Sequence, residues 1–559
     1  MKPTAYQQAA GRPCIGSSVR RSIRFALLSI SVCLSMPSSL GQDEAGVGIQ
    51  VDARRGLGDL EPFWASQIIH PTERLMTDEG AEFLRLLAAA GAARQFVRIY
   101  NQPEEAIRVA DDGSISYDWG QFDKMADMIL ATGNKLMVVF FGMPRELAAH
   151  PEAEKRRPNG ATVCFSAPKD YRQWEAMCGD FTRHVIAKYG RDEVRQWTFR
   201  CWNEPNLPTF WHRADMPAYL KLYDHFAKGV KEVCTEIRIG GPGLASTSTY
   251  LDPKFYRMFL DHVANGRNHA TGGIGSPIDF ISVHTYGGSG AAGGPGRMFP
   301  DVAYLLEQQE RYADMRDEHP QLKDLPIHVE EWGETASGNI GVAQKPTADV
   351  RNSEYGAAFL GTWVAHHIRM RQERDRKIKN FTFCASGYEA PRPHDFMGYR
   401  TLETKNGFHK PILNAYKLLN RLAPELVSCV TSPADGPISA FAARDGKRIT
   451  VLATHYRHDK IHSEGDPMPV KLEITPHWPP GTAATLKQWR IDREHSNAYT
   501  VFRESGSPKD PTPEQIATVK NRMELELLEP GRPVDAGMPI SLSLQLPTNS
   551  MTMIEITSD

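Results

Sequence analysis

The chain lacks the features that would tie it to a nucleic acid, a membrane bundle or a zinc ion. Its 65 Lys and Arg are balanced by 67 Asp and Glu, a formal net charge of −2, and no long run of one sign stands out. A nucleic-acid binder concentrates basic residues on one face, so that class is set aside. There are no heptads and no repeat at a solenoid period. Past the N-terminus, no apolar run approaches the roughly 20 residues that a membrane helix needs. Of the eight cysteines, none makes a CxxC or a Cys/His zinc spacing. The Gly-rich "GGSGAAGGPG" (287 to 296) lacks the Lys-Ser/Thr of a phosphate loop and reads as a mobile loop over a pocket. No metal or organic cofactor is expected, and nothing sets an oligomeric state.

What is present begins with a targeting pattern. Arg20, Arg21 and Arg24 precede the apolar "FALLSISVCLSM" (25 to 36), and Ser39 and Gly41 supply small residues before a cut near Gln42. Residues 1–41 therefore read as a secretory signal, which places the mature chain outside the cytoplasm, secreted or periplasmic, soluble and free of the membrane. Cys14 and Cys33 leave with that segment. The remaining six allow 15 connectivities, and spacing selects none. Cys201 and Cys384 lie in apolar runs, where a buried free thiol is expected.

From about 47 to 425, short β-type runs alternate with helical patterns. The runs are "GVGIQVD", "RQFVRIY", "KLMVVFF", "QWTFRCW", "IRIGG", "IDFISVH", "PIHVEEW" and "NFTFCAS". Between them, Phe122, Met125 and Ile129 exemplify the three-to-four spacing of a helix with one buried stripe. Eight strand–helix units predict a (β/α)8 TIM barrel over 42–425, with a doubly wound sheet as the competing arrangement. After 425 the pattern becomes strict alternation, as in "ISLSLQLPTNSMTMIEI", and predicts a C-terminal β-sandwich over 426–559.

A barrel of this kind keeps its active site at the C-terminal ends of its strands. Polar residues stand where several runs stop: Arg98 and Tyr100, then Asn203 and Glu204, then His284 and Tyr286, then Glu330, Glu331 and Trp332. Two carboxylate positions in an aromatic-lined cleft suit glycoside hydrolysis, which needs one carboxylic acid to protonate the leaving oxygen and one carboxylate to meet the anomeric carbon. Trp202, Trp211 and Trp332 are candidate platforms for the apolar faces of sugar rings.

"WNEPN" (202 to 206) followed by Phe210 and Trp211 resembles the acid/base strand of glycoside hydrolase family 39. "YDWGQFDKMADMILATGNKLMVVFFGMP", "YGRDEVRQWTF", "IGGPGLAS", "IDFISVHTYG" and "IHVEEW" follow the family's order, and "WRIDREHSNAYTVFRESGSPKDPTPEQ" (489 to 515) is similar to a C-terminal segment of its members. The family contains retaining β-xylosidases and α-L-iduronidases on a (β/α)8 barrel. The resemblance implies Glu204 as general acid/base and Glu331 as nucleophile. It also implies that Asn203 hydrogen-bonds the 2-hydroxyl of the sugar, that His284 and Tyr286 flank the nucleophile, and that Asn206 and Trp211 shape the rim. Glu330 is the competitor for the nucleophile role. Because adjacent strand residues point to opposite faces, it is expected to pair behind the strand. Members commonly carry RxHG where this chain has Arg98-Ile99-Tyr100-Asn101, a departure at a sugar-facing position. Arg392, His394 and Arg400, in "EAPRPHDFMGYR" (389 to 400), either meet an acidic or sulfated sugar or are solvated loop charges.

The implied activity is hydrolysis of a plant or algal oligosaccharide or polysaccharide fragment, β-xylosidase-like by default. An arabinosidase, uronidase or anhydrosugar type is the alternative, and from another class a non-catalytic carbohydrate-binding barrel.

Overall fold

The first strand among the described residues, β1 (Val47–Asp59), is expected from its sequence to open the barrel and does not belong to it. It buries Ile49, Val51 and Ala53 while exposing Gln50, the one-sided alternation of a sheet with a single packed face. A barrel strand is covered on both faces, as in "LMVVF" (136 to 140), where every residue is buried. The computed structural model describes residues 47–69, 72–156, 162–245, 253–288, 299–336, 338, 340–383, 394–460 and 465–559. The expected signal segment, residues 289–296 of the Gly-rich loop, and 384–393, with Cys384 and Arg392, lie outside them.

The barrel consists of β2 (Ser66–Ile68), β3 (Phe96–Tyr100), β4 (Lys135–Phe140), β5 (Thr198–Cys201), β6 (Arg238–Leu244), β7 (Phe280–Gly288), β8 (Ile327–Thr335) and β9 (Thr382–Phe383). Each pairs in parallel with the next, and Thr382 pairs with Ser66 to close the ring. A helix follows each strand: α1 (Asp78–Ala89), α2 (Gly120–Leu130), α3 (Tyr171–Tyr189), α4 (Met216–Val233), α5 (Pro253–Asn265), α6 (Val302–Asp317), α7 (Glu354–Glu373) and α8 (Pro411–Asn420). The stripe on α2 is buried as its spacing requires, with Phe122, Met125 and Ile129 facing the barrel core.

The second sheet has nine strands. Besides β1 they are β10 (Glu425–Ser432), β11 (Ile438–Arg444), β12 (Arg448–His455), β13 (Met468–Thr475), β14 (Ala483–Ile491), β15 (Leu527–Asp535), β16 (Ile540–Leu546) and β17 (Ser550–Ser558). Leu486 of β14 and Leu544 of β16 lie near opposite edges of this sheet yet share one apolar core. The sheet therefore curls so that its ends face each other, as in a sandwich. Between β14 and β15 the chain adds α9 (Ala498–Glu504) and α10 (Pro513–Lys520), whose Phe502 and Val519 pack on Phe396 and Phe408 of the segment after β9.

Helix α7 joins barrel and sheet and is buried on nearly every side, the pattern of a core helix rather than a surface one. On one side Trp363 stacks on Trp332 with ring centroids 3.8 Å apart. On the other, Thr362 and Thr454 share a hydrogen bond of 2.7 Å. His366 and His367, adjacent on α7, serve packing: the first meets Ser439 Oγ at 3.0 Å, and the second stacks on Trp363. At Gly361 a Cβ would sit 2.6 Å from Thr454 Cγ2 and 3.3 Å from Met551 Sδ, so the close approach of helix and sheet depends on the missing side chain. Gly361→Leu should cost about 1–3 kcal/mol, as overpacking does, and lower the urea midpoint. An unchanged midpoint would contradict this account of the interface.

Candidate active site

The floor of the pocket is a pair of guanidinium groups that no water reaches. On β3 the alternation sends Val97 and Ile99 outward and Arg98 and Tyr100 inward. Arg98, with its side chain fully buried, donates to Glu331 Oε1 and to the Glu330 carbonyl, each at 2.8 Å, and to Asn203 Oδ1 at 2.6 Å; Tyr100 Oη lies 3.4 Å away. Arg200 on β5 donates to the same Asn203 oxygen at 2.9 Å, and its Nε is 2.6 Å from Glu330 Oε2.

Glu330 therefore points into the barrel, not behind the strand as strict alternation predicts. Between β7 and β8, Val283 pairs with Val329 but His284 pairs with Glu331. One extra residue on β8 forms a bulge, which turns both Glu330 and Glu331 inward. Trp332, next in line, then faces out.

The mouth of β5 is held in unusual backbone. Trp202 has φ +63° and Glu204 φ +48°, left-handed values that cost non-glycine residues about 1–3 kcal/mol each. The Glu204 N–H donates to the Gly243 carbonyl at 2.9 Å, and Pro205 follows. This twist turns the Glu204 carboxylate to His284, whose Nδ1 lies 2.8 Å from Glu204 Oε1 and 3.6 Å from Glu331 Oε2. The Tyr286 hydroxyl donates to Glu331 Oε2 at 2.8 Å. One oxygen from each glutamate and one His284 nitrogen all lie within 4.8 Å of one another.

Seven expected site residues thus meet: Arg98, Tyr100, Asn203, Glu204, His284, Tyr286 and Glu331. Three do not line the pocket directly. Trp332 is fully buried among Trp363, Phe359 and Phe383, because the bulge sends it to the outer face. Trp211 is 1% exposed, donates its Nε1–H to the Asp215 carbonyl and packs edge-on against Trp202, itself fully buried. Asn206 exchanges two 3.0 Å hydrogen bonds with the backbone of Ala245, tying the loop after β5 to the end of β6.

Arg200 carried no sequence signal beyond an inward position on β5, two residues before Trp202. Arg400, left open between sugar contact and solvated charge, is buried with its guanidinium carbon 5.1 Å from the centroid of the Tyr286 ring. His394 meets the Lys509 carbonyl at 3.2 Å and takes no part in the cluster.

Burial alone would push the Glu331 carboxyl up. The positive charges of Arg98 and Arg400 and the hydrogen bond from Arg98 outweigh it and hold Glu331 well below the usual carboxylate range. Burial pushes Tyr100 up to about 12, so it is a neutral phenol at working pH. Glu204, His284 and Glu331 have the donor types of a metal site, but the adjacent guanidiniums repel a cation there. Asp224, His262 and His269 form a second such group. There the Asp224 carboxylate is already occupied by His262, the His269 N–H and Ser276, a polar knot that ties α4 to α5 and the loop after it.

The arrangement offers an ionised carboxylate and, with one oxygen within 4.8 Å of one of its own, a second carboxyl group. The sequence model of "Glycosyl hydrolases family 39" matches residues 47–536. A β-xylosidase of Geobacillus stearothermophilus is 26% identical, over 84% of this chain and 86% of that protein. An α-L-iduronidase of Mus musculus is 23% identical, over 91% and 80%. The crystal structure of a monomeric β-xylosidase from Caulobacter crescentus CB15 superposes with a TM-score of 0.75 at 24% identity, over 91% of this chain and 99% of that one.

Because its carboxyl is held below the usual range, ionised Glu331 stabilises the fold above a pH of about 4.5, its unperturbed value, and that contribution is lost as pH falls through the folded value. Glu331→Gln removes the titration. Urea midpoints taken from pH 6 to pH 2 should fall less steeply in the variant than in the wild type. Parallel curves would contradict the assignment of a depressed carboxyl.

Proposed function

Because the chain belongs to glycosyl hydrolases family 39, we propose that this glycoside hydrolase is a retaining enzyme acting by double displacement, with Glu331 as nucleophile and Glu204 as acid/base. The observation that carries this reading is the approach of the two glutamates within 4.8 Å of His284 and of each other, oxygen to oxygen, the close spacing that retaining chemistry uses. Glu331, ionised and aimed by Arg98 and Tyr286, attacks the anomeric carbon while Glu204 protonates the departing oxygen. A glycosyl-enzyme ester forms. Glu204 then takes a proton from water, which displaces Glu331 and releases the sugar. Asn203, its amide oxygen held by Arg98 and Arg200, has its NH2 left to donate to the sugar, and Tyr100 stands beside it.

The substrate class is carbohydrate. A β-xyloside from plant or algal polysaccharide is the first expectation, given relatives named as β-xylosidases. An α-L-iduronide is the second, given relatives named as α-L-iduronidases; the buried Arg400 guanidinium beside Tyr286 favours it by placing positive charge near the nucleophile. The Arg-flanked apolar N-terminus supports export to a secreted or periplasmic location.

A panel of aryl glycosides, run beside Glu204→Gln and Glu331→Gln, tests the reading. Glu331→Gln should abolish turnover, and Glu204→Gln should lower it about 10²–10⁴-fold, the usual contribution of general acid–base catalysis. A 2-fluoro-glycoside should trap its ester on Glu331. Labelling of Glu330, or sugar binding without turnover on any substrate, would contradict the proposal.

A further inference from the structure

Arg200 takes no part in the displacement chemistry, yet the barrel buries its side chain to 1% exposure and gives it three partners. Its Nε lies 2.6 Å from Glu330 Oε2, an ion pair off the hydrogen-bond axis. Its Nη2 donates to Asn203 Oδ1 at 2.9 Å, and its Nη1 lies 3.4 Å from His284 Nε2. The opposite side is closed by Gly243, at φ +63°, where a Cβ would sit 1.4 Å from Arg200 Nη1.

A guanidinium has donors and no acceptor. The ring nitrogen facing it must therefore present a lone pair, so His284 carries its proton on Nδ1. That N–H points at Glu204 Oε1, 2.8 Å away. The other tautomer would set a lone pair against Glu204 whenever the carboxylate is ionised, and would face two N–H groups against each other at Arg200.

We propose that Arg200, with Glu330 as its counter-ion, is a positioning residue for the acid/base: it fixes the Nδ1–H tautomer of His284 and so gives Glu204 a constant hydrogen-bond donor through both halves of the reaction. This rests on the reading of Glu204 as acid/base. Glu330 completes the device because a cation this deeply buried needs an opposite charge beside it. The bulge in β8 brings that charge to the inner face.

Two variants separate positioning from folding. Arg200→Lys keeps the charge against Glu330 but loses the fork that reaches Asn203 and His284. The double variant Arg200→Met/Glu330→Gln removes both charges together. In protein labelled with 15N at histidine, with His284→Gln assigning the signal, the wild type should show His284 protonated at Nδ1 alone. Both variants should move it toward the Nε2–H form. An unchanged tautomer in both would overturn the proposal without touching the reaction mechanism.

The kinetic readout compares phenyl and 2,4-dinitrophenyl β-D-xylopyranosides, since dinitrophenolate departs without a proton. Both variants should lose about tenfold or more in kcat/KM on the phenyl substrate and less than about threefold on the dinitrophenyl one. Equal losses on the two would mark a structural role and overturn the proposal. Glu204→Gln serves as the reference. If it shows no leaving-group dependence, the acid/base reading falls and this proposal with it. If Glu204→Gln shows the dependence and the Arg200 variants do not, only the proposal falls.

Discussion

The pocket is organised by one buried charge. Arg98 has no solvent to stabilise it, so its cost of burial must be met by neighbours that accept hydrogen bonds or carry negative charge. Glu331, Asn203 and the Glu330 carbonyl do so, and each is thereby fixed in place. Glu331 is held ionised as a result. Asn203 has its amide oxygen committed to Arg98 and Arg200. Tyr286 takes the other Glu331 oxygen, and His284 links that side to Glu204. A floor built from obligatory charge pairs can be both rigid and water-free, which is what a reaction developing charge in its transition state requires.

Two backbone irregularities make this floor possible. The bulge in β8 brings two consecutive glutamates inward, one for Arg98 and one for Arg200. The left-handed residues at the end of β5 swing Glu204 over His284. Both irregularities are braced from behind. Trp332 and Trp363 stack beneath β8, while Trp202, Trp211 and Tyr219 pack edge to edge under the loop after β5. The nine-stranded sheet contributes through α7, which carries Trp363 and is itself clamped by that sheet.

Much of this was legible in the residues. Seven of the eight barrel strands, the alternating tail and the polar strand ends at 98, 203–204, 284–286 and 331 all follow from periodicity and from where apolar runs stop. Two expectations fail for identifiable physical reasons. The apolar content of "GVGIQVD" suggests a barrel strand and outweighs its one-sided alternation, while the true opening strand, Ser66–Ile68, is three residues long and two of them are polar. Strict alternation sends Glu330 to the outer face, because a bulge is a property of two paired strands and leaves no mark on one. For the tryptophans the residue type leaves platform and core both open, and only packing tells them apart. Arg200 escaped notice for the converse reason: an arginine within an apolar run has meaning only once its partners on other strands are known.

In the proposed double displacement Glu331 itself bonds the sugar, so that the configuration at the anomeric carbon is inverted twice. Proton NMR of the first-formed product, recorded before mutarotation, reads this directly. Hydrolysis of a β-glycoside should release the β-anomer first, and initial release of the α-anomer would contradict the account.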